Sequence, residues 1–160
     1  SGPGALSQMA DAAEASNASM IAVQDVPRER TASYGIVASE VFNGREGQIT
    51  AIVEKPKPEV APSSLAVVGR YILSPKIFNL LENTTPGAGG EIQLTDAIAT
   101  LLLQHPVHAY RFRGTRFDCG THLGLIEATI RYALDHEKLS DAAQQLMQNA
   151  LMEMGVAELQ

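Results

Sequence analysis

Cysteine is almost missing from this chain: Cys119 is the only one in 160 residues. An internal disulfide is therefore excluded, and so is a metal site built on several cysteines. Long apolar runs are missing as well. No stretch reaches the roughly 18 residues that a membrane-spanning helix needs, and no signal-peptide pattern opens the chain. Cations are scarce, with 12 lysines and arginines against 18 acidic residues and a net charge of −6. Nucleic acid would need a basic face, and a membrane surface a basic amphipathic stretch; neither stands out. His105, His108, His122 and His136 lack metal-ligand spacing. No GxxxxGK[ST] loop occurs, nor a GxGxxG after a strand. What remains is a soluble cytoplasmic protein in a reducing compartment, with no nucleic acid and no membrane among its partners. At 45% hydrophobic residues it is long enough for one domain with a real core.

The periodicities predict alternating helices and strands. Leu6, Met9, Ala10 and Ala13 recur at helical spacing over residues 5–16. Met20–Val26 reads as an apolar strand ended by Pro27, followed by a polar loop over 28–33. Tyr34–Phe42 and Gln48–Glu54 flank a glycine-bearing turn and form a predicted hairpin, with Ile49, Ala51 and Val53 on one face. Ala66–Leu73 is nearly all apolar, as expected of a strand buried on both faces. Ser74-Pro75 starts a helix through Leu81, and a loop over 84–90 leads to a second helix over 91–104. Val107–Phe112 is a further strand, and two helices fill the rest. Strands alternating with helices imply an α/β layer fold. Ser1-Gly2-Pro3-Gly4 reads as an artificial scar or a trimmed end.

Four places could carry chemistry. Glu54 and Lys55 leave the end of an apolar strand together, and Pro56 stops the strand behind them. Neighbouring strand residues point to opposite faces, so the pair can share a ligand only where the strand is ending. A solvated surface ion pair is the plainer reading. Gly69, inside the apolar run Val68-Gly69-Arg70-Tyr71, marks either a bulge or the close approach of a ligand to the backbone. Gly87 to Gly90 precede a helix, but Glu91 and Asp96 in its first turn would repel an anion. Asp118 in Asp118-Cys119-Gly120 either caps the next helix or supplies one carboxylate to Mg²⁺, which takes one or two from protein. Cys119 reads as a small buried hydrophobe. Arg111, Arg113 and Arg116 form either a solvated strand face or a patch that draws phosphate toward Asp118.

In order, Tyr34-Gly35, Val53-Glu54-Lys55-Pro56, Val68-Gly69-Arg70-Tyr71, Glu91-Ile92-Gln93-Leu94-Thr95-Asp96-Ala97-Ile98 and Asp118-Cys119-Gly120 resemble the C-terminal half of bacterial UTP–glucose-1-phosphate uridylyltransferases, over residues 5–135. Each motif is weak alone; five in the same order are specific. The resemblance implies a truncated Rossmann-like nucleotidyltransferase sheet without its nucleotide-binding half, followed by C-terminal helices. It implies UTP and glucose-1-phosphate as substrates and Mg²⁺ as cofactor. By motif match, Glu54 accepts hydrogen bonds from glucose hydroxyls, and Lys55 holds the sugar phosphate as a catalytic residue. Gly35 and Gly69 line the sugar pocket, Glu91 belongs to its surroundings, and Asp118 is one of two aspartates on the metal.

Departures accompany the match. The glycine-rich triphosphate loop of the family has no counterpart here. Gly90 stands where the family often has an acid, and Thr121-His122 where it often has Asn-Lys. The chain alone is therefore expected to be inactive. An exposed sheet edge and the stripe from Leu139 to Met154 predict a homo-oligomer, with residues 136–160 as the contact helix. A non-catalytic truncated homologue acting by oligomerisation and a thymidylyltransferase are the alternatives.

Overall fold

The computed structural model describes residues 2–87 and 90–155. Contacts divide the chain into two compact units, Ser1–Gly114 and Thr115–Gln160.

The first unit contains helix α1 (Ala5–Ser16), strand β1 (Ser19–Asp25), a 3-10 turn (Arg28–Ser33), β2 (Gly35–Ser39), β3 (Glu46–Glu54), β4 (Leu65–Ile72), α2 (Lys76–Glu82), α3 (Leu94–Leu101) and β5 (Val107–Tyr110). The strands close into a ring in the order β1-β4-β2-β3-β5. The β1–β5 pairing is parallel and the others are antiparallel. The expected hairpin is there as β2 and β3, with Gly35 opposite Glu54. The expected open edge is not: each of the five strands has a partner on both sides, β3 pairing with β5 through Glu46–Gln48 and with β2 from Ile49 to Glu54.

β1 is buried on both faces, and its alternation shows how. Met20 and Ala22 join Met9 and Tyr110 in one cluster. Ile21 and Val23 point the other way into the larger core, with Val37, Ile49, Ile52, Ile98 and Leu101. α1 packs on β1 and β4, and α3 on β3.

Two strands break the even period expected of them. Along β3, Ala51 faces Ala38 but Ile49 faces Ser39, so Thr50 is an extra residue. Such a bulge shifts which face the following side chains take. Ile49 and Ile52 are consequently the buried pair, and Val53, expected inside, is exposed. β4 bulges too: Tyr71 faces Ile21 and Val67 faces Val23, leaving two extra residues on β4 between the pairings. Only its first half is sealed in the core, and Gly69 and Arg70 are exposed. α3 is shorter than the expected 91–104: Glu91, Ile92 and Gln93 run up to it in irregular backbone and it ends at Leu101. Ala88 and Gly89 of the expected glycine loop lie outside the described residues.

The second unit is a pair of helices, α4 (His122–Asp135) and α5 (Ser140–Glu153). Thr121 caps α4 by accepting the Gly124 N–H at 3.1 Å. None of α5 is buried, so the stripe with Leu146 and Met154 lies exposed. Among the described residues no helix is long and apolar enough to cross a membrane.

Candidate functional site

Glu54 owes its place to the bulge at Thr50. It shares the parity of Ile52, which is in the main core with Ala97 and Ile98 of α3. Its carboxylate is therefore on the side of the ring that α3 covers. Gly35 faces it across the hairpin, and a β-carbon there would stand 3.4 Å from Glu54 Oε2 and 3.0 Å from the Thr95 methyl. Glycine thus lets the side chains of Glu54, Thr95 and Val67 close directly over the β2 backbone, where a methyl would be crowded.

Lys55 follows with φ of +44°, in the left-handed region. Few residues with a β-carbon adopt it, and a residue before proline ordinarily stays extended. The turn of the backbone replaces the usual alternation, so Lys55 Nζ comes to 3.7 Å from Glu54 Oε1 instead of pointing to the opposite face. Lys55 donates its N–H to Tyr34 O at 3.0 Å. The Lys55 side chain is 62% exposed and that of Glu54 24%. At that exposure the pair contributes less than about 1 kcal/mol to stability. Its two polar ends are in reach of anything that enters from solvent.

Tyr71 and Thr95 complete the surroundings. Burial, and next the Glu54 charge, push the Tyr71 phenol above its ordinary pKa of 10.0. The hydroxyl of Thr95 is buried without a hydrogen-bond partner, the one such side-chain atom among the described residues. Neither residue was nominated from sequence, although both lie inside the motifs that carried the resemblance. Thr95 borders the helical stripe of Leu94, Ala97 and Ile98, and an inward polar group beside such a stripe was the available signal. Gly69, two residues before Tyr71, has φ of +72° and open space where a side chain would be. Its bulge accounts for the glycine and at the same time leaves the backbone accessible.

The structure therefore brings together Gly35, Glu54 and Lys55, with Tyr71 and Thr95 beside them. Glu91 is exposed, and its carbonyl accepts the Gly87 N–H at 3.0 Å. Arg111 serves the first unit: it pairs with Asp25 at 3.0 Å and lies over the Phe42 ring at 4.4 Å.

Asp118 belongs to the second unit. Its Oδ1 accepts the Gly120 N–H at 3.3 Å, and Oδ2 lies 3.4 Å from Arg116 Nη2. Thr121, not Asp118, supplies the side-chain cap of α4. Gly124 packs against the Asp118 carbonyl so closely that any side chain would collide with it. Cys119 is exposed, not buried as expected, because it is the central residue of the turn that Asp118 closes onto Gly120.

Known proteins resemble the chain throughout this region. The nucleotidyl transferase family model matches residues 3–134. The UTP–glucose-1-phosphate uridylyltransferase of Pseudomonas aeruginosa is 49% identical over 80% of the chain, which corresponds to 46% of that protein. A solved UDP-glucose pyrophosphorylase complexed with UDP-glucose superposes with a TM-score of 0.79 at 41% identity, covering 84% of this chain and 51% of the other. A UTP-bound enzyme of the same kind from Acinetobacter baumannii gives 0.76 at 45% identity, covering 89% and 49%. The chain spans about half the length of the relatives it matches. Its five motifs, its mixed α/β fold and these likenesses agree, and the chain belongs to the nucleotidyl transferase family.

Proposed function

We propose that this chain supplies the glucose-1-phosphate side of a UTP–glucose-1-phosphate uridylyltransferase. In that reaction an oxygen of the sugar phosphate attacks the α-phosphorus of UTP. The bond from the α-phosphorus to the oxygen bridging to the β-phosphate breaks, and pyrophosphate leaves with the electron pair. No bond to protein forms, so the chain's work is alignment and charge neutralisation. The observation that carries this reading is the strand end where Glu54 and Lys55 turn to the same side opposite Gly35. Glu54 accepts from sugar hydroxyls, and Lys55 places a compact positive charge on the phosphate. Gly35 and Gly69 line the sugar side, Gly69 with open space at its backbone, and Thr95, whose partnerless hydroxyl is buried, packs beside Gly35. We keep Glu91 in the surroundings only.

Enzymes of this family generally use a divalent metal. We assign Mg²⁺, with Asp118 as the ligand this chain provides. A half-exposed carboxylate fits, since Mg²⁺ takes few protein ligands and fills its shell with phosphate oxygens and water. When bound, the cation offsets charge on the phosphoryl oxygens. We assign the exposed stripe of α5 to contact between copies, which sedimentation of the intact enzyme tests. The cytoplasm, where a lone exposed cysteine stays reduced, is the assigned compartment.

Pyrophosphate release from UTP and glucose-1-phosphate by the full-length enzyme tests the reading. Lys55→Ala should cut turnover by about two orders of magnitude, or about 2.7 kcal/mol, with the fold intact. Unchanged turnover refutes the assigned site.

A further inference from the structure

We infer that Thr31 is a positioning residue for Lys55: it ties the turn before β2 to the corner that presents the ammonium beside Glu54. The inference rests on the sugar-phosphate reading of Lys55. Thr31 is completely buried, yet polar. Its hydroxyl lies 2.9 Å from Arg28 O and 3.4 Å from Pro56 O, and its single proton is shared between the two carbonyls. The first contact is local and would satisfy the hydroxyl by itself. The second reaches across 25 residues to the residue after Lys55.

Other bonds hold the same corner. Tyr34 N–H donates to Thr31 O at 3.2 Å, and Tyr34 O accepts the Lys55 N–H at 3.0 Å. Arg28 Nη2 donates to Ala61 O at 3.0 Å, further along the loop that follows the corner. Pro56 itself is buried. The turn over Arg28–Ser33 thus touches the residue after Lys55 and the loop beyond, and Tyr34, which follows the turn and bonds back to Thr31, holds the peptide before Lys55. This support matters because left-handed backbone is not where a lysine rests by itself. Released, Lys55 relaxes toward extended backbone, and its side chain swings to the face opposite Glu54. The sugar phosphate then loses its cation while the nucleotide keeps all its contacts.

Steady-state kinetics of the full-length enzyme test this, with Thr31→Val keeping the shape and removing the hydroxyl, and Thr31→Ser keeping the hydroxyl. The valine variant should raise KM for glucose-1-phosphate by about tenfold, leave KM for UTP within about twofold, and exchange the Lys55 amide hydrogen about tenfold faster. Serine should restore all three values. Equal changes in both KM values, or none, overturn the inference. Should valine prevent folding, Thr31→Ala carries the same comparison. A Lys55→Ala enzyme with full turnover defeats the underlying function. A dead Lys55→Ala enzyme beside a normal Thr31→Val enzyme defeats only the role of Thr31.

Discussion

Replacing Lys55 by glycine and, separately, by alanine separates the charge of that residue from its backbone. Both variants lose the ammonium and its weak pairing with Glu54, so that contribution cancels between them. The backbone does not cancel. At φ of +44° alanine keeps the clash between its β-carbon and the carbonyl, worth about 1–2 kcal/mol, whereas glycine has no β-carbon. Glycine gives back about 0.5–1 kcal/mol through the greater freedom of its unfolded chain. The difference leaves the glycine variant more stable than the alanine variant by about 0.5–1 kcal/mol. For a unit of this size that corresponds to about 2–5 °C in melting temperature. Scanning calorimetry of the two variants under one buffer condition reads the difference, and pyrophosphate release checks that both have lost sugar-phosphate turnover alike. Equal melting temperatures, or a more stable alanine variant, would refute a left-handed Lys55. If turnover survives in the glycine variant alone, the corner matters through its shape and not through its charge.

Gly35→Ala sets a methyl 3.0 Å from the Thr95 methyl and 3.4 Å from Glu54 Oε2; overpacking should cost about 1–2 kcal/mol by chemical denaturation, and glucose-1-phosphate affinity should fall about tenfold by kinetics. Thr95→Val removes a buried hydroxyl that has no partner, so the free protein should be as stable or up to about 1 kcal/mol more stable in a melting experiment. A loss of stability would show that the hydroxyl is satisfied. Tyr71 gives a pH signature. Below pH 10 the phenol is protonated in both folded and unfolded chains. Above it the unfolded chain ionises first, so folding stability falls as pH rises toward the higher native value. Tyr71→Phe should flatten that loss. Glu54→Gln should move the Tyr71 phenolate absorbance to lower pH, because it removes the second cause of the shift while burial persists.

Local patterns were readable in the sequence, and long-range register was not. The helix over 5–16 and the hairpin of β2 and β3 follow from spacing within a few residues, and both are found. The sheet's closure depends on β5 finding both β1 and β3, far away in sequence, and nothing local marks that. The site shows the same divide. Glu54, Lys55 and Pro56 announce a strand end. Which way Glu54 faces depends on one extra residue at Thr50, and a simple count by twos placed Val53 inside. That bulge leaves no compositional mark, since threonine is an ordinary strand residue. Gly69 was legible as a break in β4, whereas Tyr71 and Thr95 looked like parts of apolar segments until the fold set them around Glu54.

Ring closure also constrains the order of events when the chain is made. β1 is synthesised before its parallel neighbour β5, which follows some 90 residues later. Until Val107–Tyr110 leaves the ribosome, one side of β1 and the first three residues of β3 have no strand to bind, and the growing chain carries two sticky margins. A nascent chain that has emerged only as far as His105 should therefore need a holding chaperone. Releasing the next five residues should remove that need in a single step.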